Sequence, residues 1–474
     1  MLIRGAEIEG EIRDLRIDGA RIVEIGAALS PRVQETLVDA AGAALLPGLH
    51  DHHLHLRALA AAQASVVCGP PQVQDDEGLA QALRDAHTRL DAGAWLRGTG
   101  YHERVAGELD RDRLDALLPE RPLRIQHRSG RLWLLNSAAL EQLAPDADAP
   151  LERRDGRWTG RLYDADDWLR ARLRSAPPPL SAVSRTLASR GVTGVTDTTH
   201  HNGPDALAGF AAAQARGELL QAVRAMGDAR LDGAADGPGV QHGEHKFHLH
   251  EHALPPLDAL VAAIRRSHEH GRGCAFHCVT RTELVFALAA LQDAGTRAGD
   301  RIEHAAVAPP ELVVQIAALS LPVVTQPGFI AERGDDYLRE VETADLPWLY
   351  RLRGFLDAGV ALALSTDAPY TAADPWTAMQ AAVDRRSARA AVLGIEEALT
   401  PEQALAGFLA PLHAPGGAPR RLRPGAHADL CLLDRSWAQA RARLAEVRVR
   451  ACWRAGQVIA GGAGDDARRP RPAG

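Results

Sequence analysis

Residue types able to bind a cation or move a proton gather at five places in this chain. Pro47-Gly48-Leu49-His50-Asp51-His52-His53-Leu54-His55 follows an apolar run and carries His53 and His55 two positions apart. Two imidazoles at i and i+2 of a strand end share a face and can bind one divalent cation, with Asp51 or a backbone carbonyl orienting the rings. Three more groups end strand-like apolar runs: His277 in Ala275-Phe276-His277-Cys278, His304 in Arg301-Ile302-Glu303-His304, and Asp367 in Leu364-Ser365-Thr366-Asp367-Ala368-Pro369. The fifth is Lys246, the single lysine among 54 lysine and arginine residues, in His245-Lys246-Phe247-His248-Leu249-His250. Arginine stays charged at any working pH, whereas a buried lysine can present a neutral amine. Such an amine can act as a base, form a Schiff base, or take up carbon dioxide to give a carbamate whose two oxygens bridge two cations. The company of four imidazoles and a carboxylate favours the carbamate. Together these six side chains suffice to hold one or two zinc-like ions with positions left open for water.

The elements that must position them follow from the apolar pattern. From Gly191 onward, short β-like runs alternate with alanine- and leucine-rich stretches of helical period, the pattern of a parallel α/β protein. The runs are 191–196, 219–224, 246–250, 274–278, 301–304, 322–325 and 360–364, and Ala44 to Leu49 placed first makes eight. Eight such units predict a (β/α)8 TIM-type barrel spanning 44–420, with its chemistry at the C-terminal strand ends. The candidate ligands fall there, and so do His200, His250, Arg281 and Gln326, which are candidates for contacting substrate. The span 60–181 between strands one and two is too long for one connection and predicts an inserted subdomain. Residues 1–43 and 421–460 read as short strands and turns that form one composite β-sandwich, and 461–474 read as a flexible tail. His127, Arg128 and Arg131 in the insertion offer an anion-favouring cluster, though a plain solvated charge cluster is the better explanation for any one of them.

Composition narrows the function classes. The net charge of −7 gives no general attraction to nucleic acid or to an anionic membrane, and charged residues interrupt every apolar stretch before it could span a bilayer. Five cysteines in 474 residues do not make a disulfide scaffold and fit a reducing cytoplasm. Cys274 and Cys278 alternate away from His277 and read as packing residues. The expectation is a soluble cytoplasmic protein, monomer or homo-oligomer, acting on a small molecule.

With these residues in view, the chain resembles the metal-dependent amidohydrolase superfamily, in its amidohydrolase family 3 branch. Pro47 to His55 matches the family's opening Pro-Gly-X-X-Asp-X-His-X-His, and Lys246, His277, His304 and Asp367 match its ligands on strands four, five, six and eight. Gly98-Thr99-Gly100-Tyr101, Asn136-Ser137-Ala138-Ala139-Leu140 and Pro424 to Leu430 match branch-specific stretches. The resemblance implies a hydrolase that cleaves a non-peptide C–N bond (amide, formamide or cyclic amide) by attack of metal-bound hydroxide, with Asp367 as proton carrier. There are two departures. Ser129-Gly130-Arg131 stands where the branch has Ser-Gly-His, and His248-Leu249-His250-Glu251-His252 stands where it has Asp-Gly. An alternative is a one-metal aminohydrolase using His53, His55, His277 and Asp367; such enzymes place a glutamate close after the strand-five histidine, and the nearest here is Glu283. A non-catalytic barrel scaffold would usually lack ligands, and all six positions are filled.

Overall fold

The computed structural model describes residues 1–91, 93–173 and 178–461, so the expected tail lies outside the described residues beyond Gly461. Eight strands form one sheet: β1 (Leu49–Leu54), β2 (Val192–Asp197), β3 (Ala222–Gly227), β4 (Val240–His248), β5 (Cys274–Cys278), β6 (Arg301–His304), β7 (Val323–Thr325) and β8 (Leu362–Leu364). They neighbour one another in chain order, and every pairing is parallel. The segment after β8 returns to β1: Asp367 N–H donates to the His53 carbonyl at 2.7 Å, and His55 N–H donates to the Ala368 carbonyl at 2.9 Å. These two bonds hold the first and last strand ends together, giving a nearly closed barrel.

Helices Pro204–Ala215, Leu257–Glu269, Arg281–Ala294, Pro310–Ala318, Gly328–Glu340 and Pro375–Asp384 follow strands, as a (β/α) repeat requires. The helix after β5 shows why: Thr280 and Glu283 form a capping box, and Leu284, Ala287, Leu288 and Leu291 recur at three- and four-residue steps and are buried. Between β3 and β4 the described chain makes only a 3-10 turn, Ala229–Leu231, before entering the next strand. On β4 and β5, Phe247 and Phe276 are register partners and stack at 5.1 Å. Period-2 alternation therefore puts Lys246, His248 and His277 on the opposite face.

The expected first strand needs correction. Leu45–Pro47 pairs antiparallel with Leu430–Leu433 in a separate four-stranded sheet, and the barrel strand begins only at Leu49. All six residues of β1 are buried although four are His or Asp, so their polarity hid a strand that the neighbouring apolar run seemed to supply. Close approach also matters here, because a Cβ on Gly194 of β2 would lie 2.7 Å from the His50 ring. Strand three runs Ala222–Gly227, three residues later than expected, and β4 starts at Val240, six residues before Lys246.

Two four-stranded sheets come from the ends of the chain, one from Leu2–Ile8, Glu11–Asp18, Arg21–Gly26 and Leu37–Asp39, the other from Leu45–Pro47, Leu430–Leu433, Val449–Arg454 and Gln457–Gly461. Ile3, Leu15, Ile22, Leu430, Leu432 and Trp453 of the two sheets belong to one buried cluster. Residues Arg57–Pro179 make a compact unit of their own, with a six-stranded sheet and two apolar clusters around Leu123 and Leu162. Within it Arg131 pairs with Asp164 and His127 with Glu103.

Candidate metal centre

His53 on β1 is held from behind: its Nδ1 meets a Glu303 carboxylate oxygen, and the other Glu303 oxygen accepts from Arg301 Nε at 2.5 Å. Arg301 Nη2 in turn donates to the His52 carbonyl at 3.1 Å. All of these side chains are buried. Burial alone would raise Glu303, but the charges of Arg301 and Lys246 and the His53 contact outweigh it and hold the carboxyl well below its usual range. A carboxylate there fixes the proton of His53 on Nδ1 and leaves the Nε2 lone pair forward.

The same device recurs at His304, and a hydroxyl contacts His55. His304 Nδ1 lies 2.7 Å from Gln326 Oε1, an acceptor, so Nδ1 carries the proton and Nε2 is the lone pair. Gln326 is itself fixed by donating to Ser365 Oγ at 3.0 Å. His55 Nδ1 lies 3.2 Å from Thr199 Oγ1. Burial pushes His53 down to about 3 and also lowers His277 and His304, so these rings are neutral, the form that binds metal.

Asp367 faces them. Its Oδ1 is 3.4 Å from His53 Nε2 and 3.4 Å from His55 Nε2, and one ligand atom from each of His53, His304 and Asp367 lies within 4.8 Å of the other two. Burial opposes its charge, yet the His53, His55 and His304 imidazoles hold the carboxyl down at about 2. The backbone is forced to deliver these groups: φ is +67° at His304 and +57° at Asp367, a left-handed conformation that costs non-glycine residues about 1–3 kcal/mol. Asp51 helps to hold it there. Its Oδ1 accepts from the N–H of Thr366 at 3.1 Å and of His53 at 3.3 Å, and its Oδ2 accepts from Thr366 Oγ1. Asp51 therefore anchors backbone rather than imidazole rings, and burial raises it to about 7.

Among the described residues, Lys246 Nζ, His304 Nε2 and Asp367 Oδ1 are buried polar atoms with no hydrogen-bond partner. Each would cost about 1–3 kcal/mol if left so. Two Nε2 atoms at 3.4 Å from one carboxylate oxygen are too far for good hydrogen bonds. They match the edge of a tetrahedron with arms of 2.0–2.1 Å, which is about 3.3 Å. The donor set thus fits a divalent cation. Burial lowers Lys246 to about 8, with Glu303 pulling the other way and Arg301 adding to the depression.

His277 sits beside this group, its ring 4.5 Å from His304 and 4.4 Å from His248. His200 is exposed with its ring 4.9 Å from His248, and His250 is half-buried with its ring 4.3 Å from His248. Arg281 is exposed and ion-paired with Asp345. Gln326 is buried with its amide committed to His304 and Ser365, which suits a positioning residue better than a substrate contact. Cys274 and Cys278 are buried, as packing residues are. Sequence reasoning passed over Glu303, Arg301 and His248. The signal was available for the first two, since charged residues two apart on a strand otherwise buried must share an inward face. For Gln326→Ala we expect metal affinity to fall about 10–100-fold with the fold retained, measured by chelator competition and circular dichroism, because His304 loses the acceptor that sets its tautomer.

A (β/α) barrel whose strand ends carry a donor set that fits a divalent cation is the architecture of a metal-dependent hydrolase. The amidohydrolase family model matches residues 36–460, and the chain belongs to that family, in its family 3 branch. It is accordingly an enzyme that hydrolyses carbon–nitrogen bonds other than peptide bonds. It is 25% identical to N-substituted formamide deformylase of Arthrobacter pascens, over 88% of this chain and 89% of that one. Its fold is similar to that of an uncharacterized metal-dependent hydrolase from Pyrococcus horikoshii OT3 (TM-score 0.72, 20% identity, covering 92% of this chain and 96% of that one). It is also similar to atrazine chlorohydrolase TrzN from Arthrobacter aurescens TC1, complexed with zinc (TM-score 0.55, 16% identity, covering 97% and 95%). Among the described residues, no helix is long and apolar enough to cross a membrane.

Proposed function

We propose that this chain hydrolyses an amide, formamide or cyclic amide of a small molecule, with His53, His55, Lys246, His277, His304 and Asp367 as the ligands of one or two divalent ions, zinc first among them. The observation that carries this reading is the pair of Nε2 atoms, each 3.4 Å from the partnerless Asp367 Oδ1. A divalent ion held there supplies an acidified water and a Lewis acid for the carbonyl. The Asp367 carboxylate accepts a proton from the attacking water and returns it to the leaving nitrogen, so amide plus water becomes amine plus acid. Glu303 and Gln326 hold the His53 and His304 imidazoles in the tautomer that presents Nε2, and Thr199 Oγ1 positions the His55 ring through Nδ1. Lys246, as a neutral amine, would take up carbon dioxide and lose a proton to give a carbamate, an anion able to add oxygen ligands for the divalent ions.

The one-metal aminohydrolase is less well supported. Glu283, its nearest glutamate, is committed to capping: it accepts from the N–H of Val279 at 2.8 Å, of Thr280 at 3.0 Å and of Glu251 at 3.0 Å. As part of the same reading, residues 57–179 are an insertion in the barrel and the two terminal sheets are one β-sandwich. The formamide deformylase relative makes N-substituted formamides the first substrates to try. Purified enzyme should release amine and formate from at least one of these, or amine and the corresponding carboxylate from a simple amide, and chelation should abolish the release. Full turnover in metal-free protein, or ammonia release from aminoheterocycles alone, would overturn the reading.

A further inference from the structure

Two buried side chains of like charge share one layer of the barrel interior. Lys246 on β4 is the register partner of Ala275 on β5, and Ala275 is the partner of Arg301 on β6. Phe247, Phe276 and Ile302 occupy the other face of these strands, so Lys246, Ala275 and Arg301 point the same way. That face is the interior, because Glu303, two positions after Arg301, meets His53 of β1 although β7 and β8 stand between their strands. Two strand spacings put the Lys246 and Arg301 backbones about 9–10 Å apart, and the residue between them carries a single methyl group. Lys246 is 5% and Arg301 1% exposed, and among the described residues Lys246 Nζ and Arg301 Nη1 have no hydrogen-bond partner. The rest of the guanidinium is committed, Nε to Glu303 and Nη2 to the His52 carbonyl. The charge of Arg301 acts on Lys246, and both act on Glu303, so one carboxylate is set against two cations.

We infer that Arg301 is a positioning residue for the carbamate on Lys246, with Nη1 donating to one carbamate oxygen. This rests on Lys246 carrying a carbamate, as proposed for the inner ligands. In forming it, the Lys246 nitrogen bonds to the carbon of carbon dioxide, one C=O electron pair moves onto oxygen, and the nitrogen gives a proton to water. As an ammonium, Lys246 offers Arg301 only N–H groups, and Arg301 offers only N–H groups in return. As a carbamate it offers an acceptor, and guanidinium–carboxylate hydrogen bonds are among the strong ones. Arg301 keeps its proton at any working pH, so the donor is always present. The other use of Nη1 is a water shared with His52, whose ring nitrogens also have no partner among the described residues. That arrangement would satisfy Arg301 and leave Lys246 buried beside a like charge.

The test is carbon NMR of full-length, zinc-saturated protein titrated with isotope-labelled bicarbonate, reading the carbamate resonance, with zinc counted in every sample. Wild type, Arg301→Met and Glu303→Gln are compared. Arg301→Met should raise the carbon dioxide concentration for half-carbamylation at least about tenfold, as expected for the loss of one charge-assisted hydrogen bond. Glu303→Gln loosens the support of His53 and keeps Arg301, so it should not raise that half-point. If Arg301→Met does not fold, Arg301→Lys takes its place; it keeps the charge, loses the planar fork, and should raise the half-point at least about threefold. A wild-type half-point in the Arg301 variant, or an equal rise in Glu303→Gln, would overturn the inference. Absence of a carbamate resonance in the wild type would instead strike the carbamate itself, and the role of Arg301 with it.

Discussion

Asp367→Asn is expected to lower kcat by about 10²–10⁴ while the protein still binds metal, because the amide keeps the shape of the carboxylate and loses its capacity to take and return a proton. The neighbourhood makes the substitution interpretable. Asp367 is fixed by its own N–H on the His53 carbonyl and by the Asp51–Thr366 bonds beside it, none of which use its side chain. The fold should therefore survive. A variant with wild-type kcat would remove Asp367 from proton transfer.

Lys246→Arg should be as damaging and for a different reason. Lys246 is 5% exposed on β4, and its amine, without a partner among the described residues, is lowered to about 8. Roughly a tenth of it is neutral at pH 7. That fraction can react with carbon dioxide; a guanidinium cannot, and it would hold a fixed positive charge against the cations. Lys246→Ala should lose one metal equivalent, and short-chain carboxylic acids should partly restore its activity by entering the vacated space. They should do nothing for Lys246→Arg. Rescue of both variants, or of neither with full metal retained in each, would remove the carbamate from the account.

The barrel and the places of its candidate ligands were legible because β-rich apolar runs ended in chemically unusual residues: Lys246, His277, His304 and Asp367 lie on or at the end of barrel strands, although the strand that carries Lys246 starts six residues earlier than its apolar run. What hid was polar and inward. β1 carries His50, Asp51, His52 and His53 in six residues, so a search for apolar runs moved the strand back onto Leu45–Pro47, which belongs to another sheet. Glu303 read as a neighbour of His304 when it is the acceptor for His53, 250 positions earlier in the chain. Contacts of that kind depend on which strands close the barrel, and no local pattern reports them. His248 was overlooked beside the rarer Lys246, although both lie on the same face of β4. The role expected of Asp51 failed on direction, because alternation tells which face a side chain takes and not whether it reaches a ring or a backbone N–H.

The most direct test of the account is anomalous X-ray diffraction, recorded at the zinc edge from crystals of the zinc-loaded enzyme. It should show a peak about 2.0–2.1 Å from the Nε2 atoms of His53 and His55, with Asp367 Oδ1 in the same shell and density for a carboxyl group on Lys246 Nζ. No peak among His53, His55, His304 and Asp367 in active crystals would contradict the central claim.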